Sequence, residues 1–305
     1  MQARSTLFTL YGDYVRHYGN TIWVGSMIAL LAELGFTSSA VRAAVSRMTR
    51  QGWLVPIRYG RASYYSLSER GRERIDEAAQ RIFKLHPEPW DGRWRILVVA
   101  APGRDREGRE RLRRELTWMG FAPLSRGIYL TPNDLLDRTV ALEERYGLSG
   151  GVETFTASHD GPTADDRLAT RYWDLPAIDA AYGGFVAEWQ PRLDRYRSAG
   201  SGESGGPPAG DPPSDATCFA EKTRLVHAFR KFLFIDPGLP QELLPERWSG
   251  GEARRTFSTY YHLLNEGALR FFEGHYRPAP GHEGDLPGGR QTARRDPFRP
   301  PLSTA

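Results

Sequence analysis

Residues 35–68 read GFTSSAVRAAVSRMTRQGWLVPIRYGRASYYSLS, and their first half predicts an amphipathic helix. Thr37 or Ser38 can cap this helix, because either side chain can accept a hydrogen bond from the first free backbone N–H groups. An apolar face follows at helical spacing, formed by Val41, Ala44, Val45 and Met48. Gly52 ends the pattern.

The second half of the stretch predicts a β-hairpin. The expected strands are Leu54–Arg58 and Ser63–Leu67, joined by the turn at residues 59–62. Upstream, residues 4–18 and Val24–Leu34 predict two further helices. Helices followed by a short hairpin with a basic tip are typical of a winged helix-turn-helix. In that fold the second helix of the motif enters the major groove and the wing contacts the DNA backbone.

The outward face of the predicted helix carries small and hydroxyl side chains between arginines, which lets a helix approach a groove lined with phosphates. The predicted DNA-binding residues are Ser38, Ser39, Arg42, Ser46, Arg47 and Arg50 of the helix, with Arg58 and Arg61 of the hairpin.

Charge placement supports this prediction. The chain has 41 basic residues, and only Lys84, Lys222 and Lys231 are lysines, so a single arginine means little and could simply be solvated. Through Leu67, however, seven arginines stand against two acidic residues, a net charge of +5. Because the whole chain carries +4, the remainder is close to neutral.

Composition bounds the class of protein. At 305 residues the chain can form two or three domains. Its one cysteine, Cys218, excludes a disulfide framework and suits a reducing cytoplasm. The apolar runs are too short and interrupted to cross a membrane. A cytoplasmic protein without a membrane partner is expected.

A second pattern begins after the prolines at 87 and 89. It is strand, helix, strand, strand, helix, strand, which is the ferredoxin-like arrangement. The expected elements are Trp94–Ala101, Asp105–Met119, Phe121–Ser125, Gly127–Thr131, a helix from Pro132 to Tyr146, and Gly151–Thr156.

The rest of the chain is predicted to be helical, with two irregular segments. The expected helices are Asp166–Trp173, Ala177–Arg197, Thr217–Phe234 and Gly251–Tyr276. Residues 198–215, rich in Gly, Pro, Ser and acid, predict a disordered insertion, and residues 277–305 predict a disordered tail.

Three motifs together resemble the phenylacetic acid degradation repressor (PaaX) family. They are Trp23-Val24-Gly25-Ser26, the run GRASYYSLSERG at residues 60–71, and the spaced residues Asp236-Pro237, Leu239-Pro240, Leu243-Leu244-Pro245, Trp248 and Gly250. The resemblance covers about residues 4–276, in order.

The patterns above predict an α+β protein with three domains, and the resemblance agrees with them; the insertion and the tail look like additions to the family pattern. The domains are an N-terminal winged helix-turn-helix DNA-binding domain (1–86), a central ferredoxin-like dimerisation domain (90–160), and a C-terminal helical domain (161–276). The family's central unit is similar to a small CRISPR-associated adaptation nuclease. The resemblance further implies a homodimeric repressor of phenylacetate or related aromatic catabolism genes, bound to double-stranded operator DNA. An acyl-coenzyme A effector, phenylacetyl-coenzyme A in the family, would release it.

The effector would need cations for its phosphates and an aromatic slot for its acyl group. The predicted effector-binding residues are Arg171, Tyr172, Trp173, His227, Arg230 and Lys231. A second set, Arg254 and Arg255 with Tyr260 and Tyr261, offers the same chemistry. Aromatic residues at helical spacing also fill cores, so both sets have a purely structural alternative.

Two other functions compete with the repressor. A metal-dependent nuclease built on the central unit would need a carboxylate where its first strand ends, but the sequence there is Val98-Val99-Ala100-Ala101-Pro102, with no acid before Asp105. The second competing function is that of an architectural DNA-binding protein without a small-molecule switch. We therefore expect no catalytic residues, metal or cofactor.

Overall fold

The computed structural model describes residues 1–84, 89–99, 106–135, 138–139, 142, 151–200, 213–280 and 296–298. Contacts divide the chain into two compact units that alternate along the sequence. The first comprises residues 1–85, 185–230 and 252–305, and the second residues 86–184 and 231–251. The three consecutive domains expected from the sequence remain a prediction.

The N-terminal segment of the first unit combines helices with a three-stranded antiparallel sheet. Its elements are α1 (Ala3–Asp13), a 3-10 turn (Val15–His17), β1 (Thr21–Trp23), α2 (Val24–Ala32), α3 (Ser38–Arg50), β2 (Leu54–Tyr59), β3 (Ala62–Leu67) and α4 (Glu69–Ile82). The predicted helix and hairpin are confirmed. The first helix ends earlier than predicted, and β1 was not predicted.

The sheet order is β1-β3-β2, so β3 is its central strand. Strands β2 and β3 pair from Leu54 opposite Leu67 to Tyr59 opposite Ala62, which leaves Gly60 and Arg61 at the tip. Gly60 has a φ of 58°, a conformation that a glycine adopts without strain at the first position of a two-residue hairpin turn.

The C-terminal half is helical, as predicted. It contains α6 (Asp165–Tyr172), α7 (Leu175–Gly200), α8 (Asp215–Phe229), 3-10 turns at Arg230–Phe234 and Gln241–Leu243, and α9 (Gly250–His275); α5 (Arg106–Met119) precedes them in the chain. No helix within the described ranges combines the length and apolar character that crossing a membrane requires.

The two segments predicted to be disordered fall largely outside the described residues. The insertion prediction is wrong at both described ends, because α7 continues through residues 198–200 and α8 begins at Asp215 with Ser214 as its cap. The tail prediction is wrong at Phe298, a residue that is only 9% exposed because aromatic rings surround it. The remaining residues, 201–212, 281–295 and 299–305, are among those not described.

The second unit contains a four-stranded antiparallel sheet with the order β5-β6-β4-β7. Its elements in chain order are β4 (Trp94–Val99), α5 (Arg106–Met119), β5 (Ala122–Ser125), β6 (Ile128–Thr131) and β7 (Val152–Ala157). Strand β6 lies antiparallel between β4 and β5, which are therefore parallel to each other, as in a split β-α-β unit. This is the strand order of the predicted ferredoxin-like arrangement. The second helix of that arrangement, from Pro132 to Tyr146, lies mostly outside the described residues.

Apolar side chains of α5 cover the sheet. Leu112, Leu116 and Met119 pack with Leu97 of β4 and Tyr129 of β6 in one buried cluster. The helical spacing of the first three residues explains why a helix with so many arginines still has one apolar face.

The loop that carries the Asp-Pro signature joins elements of the second unit. Asp236 accepts hydrogen bonds from the Tyr182 hydroxyl and, at 2.7 Å, from Gly238 N. Asn133 Nδ2 donates to Pro237 O at 3.3 Å. Gly120 has a φ of 102°, and a Cβ there would lie 2.5 Å from the same oxygen. The signature is thus explained by close backbone packing.

The core of the first unit contains an ion pair between α1 and α8. Lys222 Nζ lies 3.1 Å from Asp13 Oδ2, and each side chain is only 1% exposed. The Tyr261 hydroxyl donates to Asp13 Oδ1 at 2.8 Å. Burial lowers the pKa of Lys222, and the Asp13 carboxylate opposes that shift. Each charge therefore depends on the other for compensation inside the core.

Aromatic rings surround the ammonium group of Lys222. Its Nζ lies 4.4 Å from the ring centroid of Tyr14 and 4.2 Å from that of Tyr261, within the range of cation–π attraction. Tyr14 stacks on Phe272 of α9 with centroids 4.9 Å apart, and lies 5.4 Å from the ring of Phe219 in α8. Helices α1, α8 and α9 therefore share one core.

Replacing Lys222 by Met should lower the free energy of unfolding by about 3–5 kcal/mol, because the Asp13 carboxylate is left buried without its counter-charge. Urea denaturation followed by circular dichroism measures the change. The double variant Asp13→Asn, Lys222→Met should recover most of the loss, since no buried charge remains. A Lys222→Met variant as stable as the wild type would contradict the role assigned to the pair.

Candidate nucleic-acid interface

Helix α3 presents two chemically different faces. Val41, Ala44, Val45 and Met48 are buried, as the spacing predicted. Thr37 caps the helix by accepting from Ala40 N at 3.3 Å. The predicted DNA-binding residues of α3 lie on the opposite face and are all exposed: Ser38, Ser39, Arg42, Ser46, Arg47 and Arg50.

The hairpin adds Arg58 and Arg61, both exposed. Between residues 36 and 67 there are five arginines and no acidic residue. Within the described part of the chain, none of these five guanidinium groups has a hydrogen bond or an ion pair to another residue. They can therefore pair with phosphates or base edges without first breaking a contact inside the protein.

The surrounding elements of the first unit hold the hairpin in place. Strand β1 pairs with β3, and the Tyr11 hydroxyl of α1 donates to Tyr65 O of β3 at 2.9 Å. The Tyr276 hydroxyl, just after α9, lies 2.7 Å from Tyr18 O and 2.9 Å from Thr21 O, at either end of the turn into β1. The orientation of the hairpin thus depends on residues far away in sequence.

Two further arginines, which the sequence did not indicate, border this face. Arg4 donates to Gln51 Oε1 at 3.1 Å, directly after the last residue of α3. The guanidinium carbon of Arg70 lies 4.5 Å from the ring centroid of Trp53. No local pattern indicates either residue, because Arg4 meets the end of α3 only in the folded chain.

Two of the predicted effector residues belong to the first unit and contact α1. His227 Nδ1 lies 3.2 Å from Thr9 Oγ1, in a buried setting. Arg230 Nη2 donates to Ser5 O at 2.9 Å and to Ser5 Oγ. Burial lowers the pKa of Arg230 to about 10. Packing inside the first unit therefore accounts for both side chains.

The other four predicted effector residues belong to the second unit. Trp173 stacks on Trp94 with centroids 6.3 Å apart and is buried. Tyr172 is half-buried, whereas Arg171 and Lys231 are exposed. Of the alternative set, Tyr260 and Tyr261 are core residues of the first unit, and Arg254 donates to Lys84 O at 3.1 Å.

A cavity of about 370 Å³ opens beside Tyr172 and Trp173. Its walls are mostly apolar. They include Phe121, which precedes β5, Pro123 of β5, Ile178 of α7, Phe234 at the end of the 3-10 segment, and Ile235, which follows it. Phe234 is 62% exposed at its rim. Asp174 is the acidic residue among those that line it. Such a cavity suits the apolar part of a ligand better than an anionic part.

No group of three or more histidine, cysteine or carboxylate side chains within the described ranges could hold a metal ion. A nuclease of this kind would carry its carboxylate where the first strand of the central unit ends. That strand, β4, ends at Val99, and residues 100–105 lie outside the described part.

Three models of one protein family match the chain. A model described as PaaX-like protein matches residues 2–71, one described as PaaX protein central Cas2-like domain matches 87–169, and one described as PaaX-like protein C-terminal domain matches 173–274. The chain therefore belongs to the PaaX family.

Individual relatives agree with this assignment. The chain is 32% identical over 276 residues to the transcriptional repressor PaaX of Escherichia coli K12, covering 89% of this chain and 83% of the relative. The solved structure of the uncharacterized protein Rv0674 from Mycobacterium tuberculosis superposes with a TM-score of 0.53. The match covers 90% of this chain and 98% of that one, at 23% identity, and so supports the fold alone.

Replacing Thr37 by Ala should lower the free energy of unfolding by about 1 kcal/mol, because a free N–H group of α3 loses its acceptor. Ser46→Ala is the matched control, since Ser46 is an exposed hydroxyl residue of the same helix, and its effect should stay within about 0.5 kcal/mol. Urea denaturation of both variants measures the difference. Equal stability of the two variants would contradict the capping role.

Proposed function

We propose that this protein is a transcriptional repressor that binds operator DNA through a winged helix-turn-helix. In this proposal α3 is the recognition helix and the β2–β3 hairpin is the wing. The observation that carries it is the exposed face of Arg42, Arg47, Arg50, Arg58 and Arg61. No acidic residue lies in the same stretch of sequence, and among the described residues these guanidinium groups have no hydrogen-bond or ion-pair partner. Repression itself is proposed from the likeness to the Escherichia coli repressor.

The position of each residue suggests its role on DNA. Ser46 and Arg50 lie on the outward face of α3, where side chains of a recognition helix reach base edges. Arg61 lies at the wing tip, where a cation contacts phosphates whatever the base sequence. Ser38 and Ser39 lie at the helix N-terminus, where free backbone N–H groups also favour a phosphate.

We further propose a cytoplasmic homodimer without enzymatic activity, in which the central domain joins the two copies. A dimer of helix-turn-helix domains binds two half-sites related by the symmetry of the protein. Because the central domain is assigned to assembly, added magnesium or manganese should not produce cleavage of DNA.

For the effector we propose an acyl-coenzyme A thioester, phenylacetyl-coenzyme A or a close relative, at the cavity of the second unit. The aromatic acyl group would enter between Tyr172, Trp173 and Phe234. Arg171 and Lys231 are exposed on the two elements that supply these aromatic residues, so they can pair with the phosphates outside the cavity. His227 and Arg230 have structural partners and are left out of this proposal.

Arg50→Ala should weaken binding to the protein's own upstream DNA by about 1–3 kcal/mol and relax its base preference. Arg61→Ala should weaken binding to all sequences and reduce the slope of log affinity against log salt by about 1. Arg195→Ala, an exposed arginine of α7, is the control and should change neither. Fluorescence anisotropy at several salt concentrations measures all three. Unchanged binding by both test variants would exclude this face.

Phenylacetyl-coenzyme A should weaken operator binding by about 5–150-fold, and by linkage DNA should weaken effector binding by the same factor. Lys231→Ala should lower effector affinity roughly tenfold through a lost charged contact, and should leave operator affinity without effector unchanged. Arg167→Ala, an exposed arginine of α6 outside the proposed effector-binding set, is the control. Calorimetry gives the effector affinity. Full affinity in Lys231→Ala and in Phe234→Ala would place the effector elsewhere.

A further inference from the structure

The last described residues, Asp296–Phe298 (the tail segment), occupy a site on the first unit. Four residues form this tail site: Phe83, Phe257, Tyr261 and His262. Their ring centroids lie 5.2, 5.5, 5.4 and 5.1 Å from that of Phe298. The contacts of Phe83 and Tyr261 are close to perpendicular, at 89° and 81°, which is a favoured geometry for aromatic pairs.

A polar contact fixes the direction of the tail segment. His262 Nε2 lies 2.8 Å from Asp296 Oδ1, so the ring N–H can donate to the carboxylate. The same oxygen accepts from Phe298 N at 3.0 Å, which turns the backbone so that the phenyl ring enters the tail site. The site therefore recognises a carboxylate and an aromatic ring two residues apart.

Other elements of the first unit hold the walls of the tail site. Phe257 stacks on Phe229 of α8, with centroids 4.1 Å apart. Tyr261 donates its hydroxyl to Asp13, the carboxylate of the buried ion pair. Phe83 directly follows α4, the helix that begins after the proposed wing. The tail segment thus contacts α9 and the end of α4 at once.

We propose that the tail site is a peptide-docking site for an Asp-x-Phe sequence and that its occupant is the chain's own C-terminal segment. The tail segment lies beyond residue 274, where the family models end, so this site goes beyond the proposed function. Because site and segment belong to one chain, their effective concentration is about millimolar, and even a weak contact is largely occupied. Docking adds to the contacts that Phe83, at the end of α4, already makes with Phe257 and Tyr261 of α9.

Chymotrypsin tests the docking in the full-length protein. The protease must bind the Phe298 ring in its own pocket to cut before Arg299, so cleavage requires the ring to leave the tail site. Intact-mass spectrometry measures loss of residues 299–305. The wild-type chain should be cut at this bond at least tenfold more slowly than a synthetic peptide of residues 290–305. Asp296→Ala and His262→Ala should each raise the rate severalfold.

A closely matched control is His275→Ala. His275 is also an exposed histidine of α9, and its Nδ1 also lies beside the carbonyl oxygen four residues earlier. The distance is 2.9 Å from His275 Nδ1 to Phe271 O and 2.7 Å from His262 Nδ1 to Ser258 O. His275→Ala should be cut at the wild-type rate. Wild-type cleavage at the rate of the peptide, or no acceleration by either test variant, would overturn the proposal. Asp296 lies in the tail segment itself, so Asp296→Ala tests docking without disturbing the core.

Discussion

The first unit depends on one buried ion pair. Asp13 ends the first helix of the chain and Lys222 lies in α8, yet the two charges meet at 3.1 Å inside the core. Neither would be tolerated there without the other. The core of the proposed DNA-binding segment is therefore not separate from the rest of the first unit. The segment shares one core with the C-terminal helices, so a change in those helices acts directly on the elements that support α3 and the hairpin.

The choice of lysine at position 222 has a physical reason in a chain whose other basic residues are almost all arginine. The ammonium group is compact, so it fits between the rings of Tyr14 and Tyr261 while it pairs with Asp13. A guanidinium is larger and planar and carries five N–H donors that would each need an acceptor in this apolar setting. A lysine is therefore the cation that can be buried there with one carboxylate.

The second unit contains a closely packed loop next to a cavity. The Asp236–Pro237 loop is fixed by Tyr182 and Asn133, and it needs Gly120 for its close approach to α5. The 3-10 segment that leads into this loop carries Phe234, whose ring is exposed at the cavity rim. Residues of the family signature thus keep the cavity walls in place, which connects a structural motif to the proposed effector site.

The sequence by itself determined those features that repeat locally. The spacing of Val41, Ala44, Val45 and Met48 defined α3 and hence its exposed arginine face, and the strand and helix periods gave the order of the central elements. These patterns are readable because one buried face controls each element. The short strand β1 left no such pattern, since three residues cannot show a period.

Only the tertiary structure decided which side chains meet. His227 was predicted to bind the effector, and nothing in the sequence indicated a buried Lys222. Contacts with Thr9 and Asp13, more than 200 residues away, place both side chains in the core. Phe298 lies in a tail whose composition predicted disorder, yet four rings of the first unit enclose it. Long-range pairing of this kind depends on the complete packing of the core, which local composition and periodicity do not encode.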